Sequence, residues 1–116
     1  ADALARVARE FETGLMGQPG FEILAAAERA GVPAYREGFA DRAYLPDGNL
    51  MPRTRPGAVL PPEQAAEQAI QFAREGRFDS ICLHGDSPGA AEVAKAIREA
   101  LKSEGIATGH LLPNAR

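Results

Sequence analysis

Helix-like and strand-like segments alternate along this chain, and that alternation predicts an α/β fold built from parallel βα units. Two observations carry the prediction. Apolar residues recur at helical spacing over residues 2–11, 21–30, 62–75 and 88–104, and short apolar runs at 15–16, 32–40 and 80–83 fall between them. A Pro- and Gly-rich interval, 41–62, lacks either period and divides the chain.

The first segment places Leu4, Val7, Ala8 and Phe11 on one stripe, with Arg6, Arg9 and Glu10 facing water. Leu15-Met16 reads as a short strand, broken by Gly17-Gln18-Pro19-Gly20. In the next helix Phe21, Leu24, Ala25 and Ala27 share a face, and Gly31 stops it where a left-handed residue is needed. Residues 32–40 form a weaker strand, with Pro33 tolerated only near its start. From Asp41 to Pro62 there is no convincing periodicity; the stretch contains Pro46, Pro52, Pro56, Pro61 and Pro62, and Asp47-Gly48 marks a tight turn. A loop of about twenty residues in a small domain is usually functional or disordered, so 41–62 is read as a long Pro-rich functional loop.

The third helix, 62–75, carries Ala65, Ala66, Ala69, Ile70 and Ala73 and ends at Gly76. Ser80 to Leu83 is an apolar strand. The last helix, 88–104, is the most strongly patterned, with Ala90, Val93, Ala94, Ile97 and Leu101 opposite Glu92, Lys95, Arg98, Glu99 and Lys102. Residues 106–116 give no clear pattern. Three short strands make a poor complete sheet. The chain, 1–116, therefore reads as a single α/β domain or as half of a larger barrel.

Composition narrows the function. The 116 residues are 45% hydrophobic with few aromatics, so the core rests on Ala, Leu, Ile and Val. A net charge of −3 supplies no electrostatic reason to bind nucleic acid or an anionic membrane. No apolar run approaches the ~20 residues of a membrane span, and the N-terminus, with Asp2 early, does not read as a signal peptide. Cys82 is the single cysteine; it suits a reducing cytoplasm and reads as a packed thiol within its strand.

The chemistry is expected at Leu83-His84-Gly85-Asp86-Ser87-Pro88-Gly89-Ala90, where a parallel strand hands over to a helix. Ligands in open α/β sheets and barrels bind at that edge. His84 is a candidate general acid or base, because an imidazole titrates near working pH. Asp86 could orient that ring, bind a cation or polarise a water. Gly85 and Gly89 permit close approach to the backbone, and the helix start offers N–H groups to a carboxylate or phosphate. In the plainer reading Asp86 or Ser87 caps the helix, with Pro88 at its first position.

A second cluster follows the 32–40 strand. Asp41 and Arg42 lie at its carboxyl end, and Arg42 and Arg53 could clamp a carboxylate or phosphate with forked hydrogen bonds. Tyr44 could donate a hydrogen bond or cover a small substrate. A solvated surface turn with an internal Asp–Arg pair is the plain alternative. Gly17-Gln18-Pro19-Gly20 lacks the lysine and the spacing of a phosphate loop, and His110 has no ligand-forming neighbour in sequence. No zinc pattern is present. The imidazole of His84 and the acidic loop after Ala40 are expected to meet at one pocket mouth.

The stretches Phe39-Ala-Asp-Arg-Ala-Tyr-Leu-Pro-Asp-Gly48, Leu50-Met-Pro-Arg53, Pro56-Gly-Ala58 and Ile81-Cys-Leu-His-Gly-Asp-Ser-Pro-Gly-Ala90 resemble the LamB/YcsF family, whose members are known as the A subunit of the bacterial 5-oxoprolinase. The resemblance covers roughly residues 1–105. It implies a distorted (β/α) barrel of the polysaccharide-deacetylase-like type. It also implies ATP-dependent opening of the lactam ring of 5-oxo-L-proline to give L-glutamate, in the company of 5-oxoprolinase subunits B and C. ATP, bound with the partner subunits, and a magnesium ion are the cofactors to expect.

By position, His84, Gly85 and Asp86 fall on one family block, and Asp41, Arg42, Tyr44, Asp47 and Arg53 on another. On this reading His84, Asp86 and Asp41 are the candidate catalytic residues. Arg42, Tyr44, Arg53, Gly85 and Ser87 are the candidates for substrate binding, and no metal ligand is assigned. The chain departs from the family in length: members are about twice as long, and their N-terminal half carries further acid- and histidine-bearing blocks. An insertion that members carry before the last strand is also reduced here to Arg77-Phe78-Asp79. The sequence therefore reads as a C-terminal half that expects the N-terminal half of its barrel. Two other functions fit a barrel fragment of this kind: a metal-dependent, deacetylase-like carbohydrate hydrolase, and a non-catalytic interaction module.

Overall fold

A computed structural model describes residues 1–111, and four helices and three short strands are found among these described residues. Their order is α1 (Asp2–Glu10), β1 (Leu15–Gly17), α2 (Glu22–Ala30), β2 (Ala34–Phe39), α3 (Pro62–Glu75), β3 (Ser80–Cys82) and α4 (Ala90–Ser103). The strands lie in the order β1-β2-β3, and β1 runs parallel to β2 with Leu15 opposite Ala34 and Gly17 opposite Arg36. Residues 112–116, the end of the unpatterned 106–116 tail, lie outside the described residues.

The chain divides into two compact units, and the division crosses β2 after Gly38 and β3 after Ser80. In the first unit α1 and α2 meet through small residues. Ala8, Ala27 and Val32 form its core, with Leu15, Ala30 and Ala34 packed around them. Gly31 closes α2 in the left-handed region at φ 71°, a conformation that costs a residue without Cβ little. Of the predicted α1 stripe only Ala8 is buried. Ala5 and Ala8 are covered, whereas Leu4, Val7 and Phe11 are exposed by 59%, 50% and 74%. Alanines let two helix backbones approach closely, and that contact turns the larger side chains outward.

At the far end of this unit Arg36 and Asp79 grip each other twice. The Asp79 carboxylate accepts from the Arg36 backbone N–H, Nε and Nη2 at 2.8, 2.9 and 2.8 Å, while the Asp79 N–H donates to the Arg36 carbonyl at 2.8 Å. The side-chain bonds from Arg36 hold the Asp79 carboxyl below its ordinary range.

The second unit is built on α3 and α4. Pro62 opens α3 at the first helical position, where its missing N–H is not needed. Ala65 and Ala69 of α3 and Val93, Ile97 and Leu101 of α4 close a core with Ala40. Leu60, Ile81 and Leu83 line its edge. The Ala40 N–H donates to the Cys82 carbonyl at 2.9 Å, which ties the end of β2 to the end of β3. Cys82 is half-buried.

The long loop is ordered by its own backbone. Antiparallel bridges join Arg42 to Val59 and Tyr44 to Leu50. The Ala43 N–H donates to the Ala58 carbonyl and the Leu60 N–H to that of Asp41, both at 2.9 Å. Asp47 takes the Asn49 N–H at 2.9 Å in the tight turn, which pulls its carboxyl below the ordinary range.

Because the folded Asp79 carboxyl is depressed, its contribution to stability is present above the unfolded value of about 3.9 and is lost as pH falls through the lower folded value. Asp79→Asn is expected to cost about 0.5–1 kcal/mol near neutral pH, the range of a solvent-reachable pair. Urea unfolding should show that difference shrinking as the pH drops below the carboxylate range.

Candidate active site

The site lies in the second unit, where the chain leaves β2 and β3. Asp41 follows directly on Ala40 and is 3% exposed. Its Oδ2 accepts the His84 backbone N–H at 2.8 Å, and the His84 Nδ1 lies 3.1 and 3.0 Å from Oδ1 and Oδ2. A carboxylate oxygen accepts hydrogen bonds, so the tautomer that fits this contact has Nδ1 as the donor. In that tautomer Nε2 is the nitrogen left with a lone pair. The Phe39 ring stacks on the imidazole with centroids 5.1 Å apart and planes 20° apart, fixing the ring from one face. Phe39 opens the family block that also carries Asp41, but nothing in the sequence assigns it this stacking role.

The structure thus brings His84 and the acidic loop after Ala40 together, and it corrects which acid holds the ring. Asp86 is turned to Arg53. The Arg53 Nη1 and Nη2 donate to the Asp86 Oδ2 and Oδ1 at 2.9 and 3.1 Å, and Nη2 also donates to the Ser87 Oγ at 2.9 Å. Those bonds pull the exposed Asp86 carboxyl below its ordinary range and raise the Arg53 guanidinium above its own. The expected cap is corrected as well. Helix α4 starts at Ala90, not at Pro88, and its cap is Gly89 in the left-handed region at φ 77°, with no side-chain cap bond. With Asp86 and Ser87 both engaged by Arg53, neither oxygen serves the helix end.

The other candidates fall around this centre. Arg42 is partly buried; its Nη2 donates to the Met51 carbonyl at 2.8 Å, and its Nε is buried without a hydrogen-bond partner. The Tyr44 hydroxyl accepts the Phe39 N–H at 2.8 Å, and its ring meets Phe72 edge-on at 5.8 Å, so Tyr44 braces the end of β2. Gly85 is exposed, with open space where a side chain would stand. A cavity of about 460 Å³ beside the pair is lined by Asp41, His84, Ser87 and the start of α4, including Glu92. Arg42 and Arg53 are outside that lining. Among the described residues no group of three His, Cys, Asp or Glu side chains is arranged to hold a metal ion. No helix among them is long and apolar enough to cross a membrane.

A carboxylate-held imidazole at the carboxyl end of parallel strands, beside a cavity, belongs to the α/β proteins that place their chemistry on strand-to-helix loops. The LamB/YcsF family model matches residues 1–115, and the chain belongs to that family. It is 46% identical over 104 residues to the 5-oxoprolinase A subunit of Nocardia farcinica, covering 79% of this chain and 42% of the relative. To the protein of the same name from Neisseria meningitidis it is 42% identical over 121 residues, covering 91% of this chain and 49% of the relative. The crystal structure of the lactam utilization protein from Thermus thermophilus is similar, with a TM-score of 0.75 and 35% identity over 90% of this chain and 47% of that one. The chain thus spans less than half the length of these relatives.

Removing the Asp41 carboxylate leaves the His84 N–H without its acceptor. Asp41→Ala is expected to destabilise the protein by about 1–3 kcal/mol in chemical denaturation, the cost of an orphaned buried donor.

Proposed function

We propose that this chain is the C-terminal half of a protein like the 5-oxoprolinase A subunit. In this reading it supplies a proton-transfer pair for hydrolytic ring opening of a small cyclic amide. The observation that carries the reading is the buried Asp41 carboxylate on the His84 ring, 3.0 Å from Nδ1, beside a cavity of a size for a small ligand. The names of the relatives, a 5-oxoprolinase subunit and a lactam utilization protein, support a lactam as the substrate class. In this reading the lactam is 5-oxo-L-proline, opened to L-glutamate.

Opening such a ring makes one C–O bond and breaks one C–N bond. Asp41 holds the tautomer in which Nε2 has a lone pair, so Nε2 can take a proton from the attacking water. The same nitrogen then returns a proton to the departing ring nitrogen. An amide is a reluctant electrophile, and transfer of the γ-phosphoryl group of ATP, with a magnesium ion, to the lactam oxygen would make its carbon reactive and release ADP. Once water has added and the C–N bond has broken, a second water would hydrolyse the remaining acyl phosphate to the carboxylate and inorganic phosphate. Arg53 is the anion-binding group of this reading, its fork exchanging Asp86 and Ser87 for a substrate carboxylate or a phosphate. Arg42 and Tyr44 hold the loop that carries Asp41. The N-terminal half of the barrel and subunits B and C complete the machinery, in keeping with relatives whose names make them one component of a larger assembly.

The test is 5-oxoproline-dependent ATP hydrolysis by the assembled full-length protein. His84→Ala should lower the rate by about a hundredfold or more, the usual contribution of a positioned acid–base group. An unchanged rate overturns the role given to His84.

A further inference from the structure

The end of β2 carries an arrangement that the proposed chemistry does not yet use. Gln68 stands on α3, half-buried, and its side-chain Nε2 faces three backbone carbonyls at once. It lies 2.9 Å from Phe39 O, 3.1 Å from Ala40 O and 2.7 Å from Arg42 O. These carbonyls flank the peptide that carries Asp41. A primary amide has two hydrogens, so the three acceptors share them. Successive carbonyls that point toward one spot repel each other, and a donor between them holds the turn in that shape. The amide also sits on a helix whose neighbouring residues, Ala65 and Ala69, are fully buried, so its base is rigid.

We propose that Gln68 is a positioning residue: it clamps the 39–42 backbone so that the Asp41 carboxylate meets the His84 Nδ1. The inference deepens the reading given above, since it concerns the same pair, but its primary test needs no substrate. The Asp41 N–Cα unit lies between the clamped carbonyls of Ala40 and Arg42. The Phe39 N–H to Tyr44 and the Ala40 N–H to Cys82 hold this segment upstream of Asp41, and the Leu60 N–H donates to the Asp41 carbonyl itself at 2.9 Å. Gln68 reaches the carbonyl beyond it, at Arg42. Loss of the clamp frees the turn to rotate, and the carboxylate drifts from the ring while β2 and β3 remain paired.

The spectroscopic signature of the pair is the protonated Nδ1 tautomer of His84, read from the ring-nitrogen chemical shifts of isotope-labelled histidine in the ligand-free full-length protein. His84→Ala assigns the signal. Gln68→Met removes the donors at nearly constant length, and Gln68→Lys keeps donors without an acceptor. The expected result is that Gln68→Met loses the tautomer preference toward a mixture, as Asp41→Asn does, while Gln68→Lys retains it. Retention of the wild-type signature in a folded Gln68→Met, or its loss in a folded Gln68→Lys, overturns the proposal. If Gln68→Met does not fold, the Lys variant decides alone.

Turnover then separates the two readings. With the tautomer lost, kcat should fall about tenfold or more with KM changed less than about twofold, as for a misplaced catalytic group. A lost tautomer with an unchanged kcat leaves Gln68 as the clamp and removes His84 from the chemistry.

Discussion

Buried carboxyl oxygens must find hydrogen-bond partners, and in the second unit that demand falls on Asp41. It is met by the backbone N–H and ring of His84, both within 3.1 Å. The consequence reaches past the pair. The same residue's carbonyl accepts the Leu60 N–H, and its neighbour Ala40 donates to Cys82. One residue thus ties together the end of β2, the chain after β3 and the return of the long loop. Geometry suited to proton transfer is a product of the same bonds that fold the region.

The two carboxylates of the site do different work because their surroundings differ. Asp41 is sealed off and oriented by His84, whereas Asp86 is exposed and forked to Arg53. An exposed fork of this kind contributes little to stability, since water competes for both partners. It places a guanidinium next to the His84 loop. In the first unit Arg36 and Asp79 use the same chemistry differently, because backbone bonds accompany the side-chain fork and fasten the approach to β3.

Local signals located most of the elements. Pro62 and Gly76 bracket α3, and Gly31 closes α2, because these residues act through their own backbone torsions. The start of α4 and the buried face of α1 were misread for a common reason. Asp86 and Ser87 have the chemistry of caps, but Arg53, more than thirty positions away, takes both oxygens. Leu4, Val7 and Phe11 have the spacing of a core stripe, but it is Ala8 that packs with Ala27 and Val32. In each case a long-range partner outranked a local preference. The roles of Gln68 and Phe39 escape a linear reading for a similar reason, since an amide and an aromatic ring have no assigned partner until a turn is placed beside them.

Alone, the order of residues determined the alternation of helices and strands, the family blocks, and the presence of His84 and Asp41 where strands give way to loops. Those properties depend on periodicity and on residue type, which are readable along a line. Which acid holds the imidazole, which arginine is engaged, and what braces the Asp41 turn were decided by the tertiary structure. Hydrogen bonds are selected by distance and angle, and residues 43 positions apart in sequence acquire those only when β2 and β3 pair.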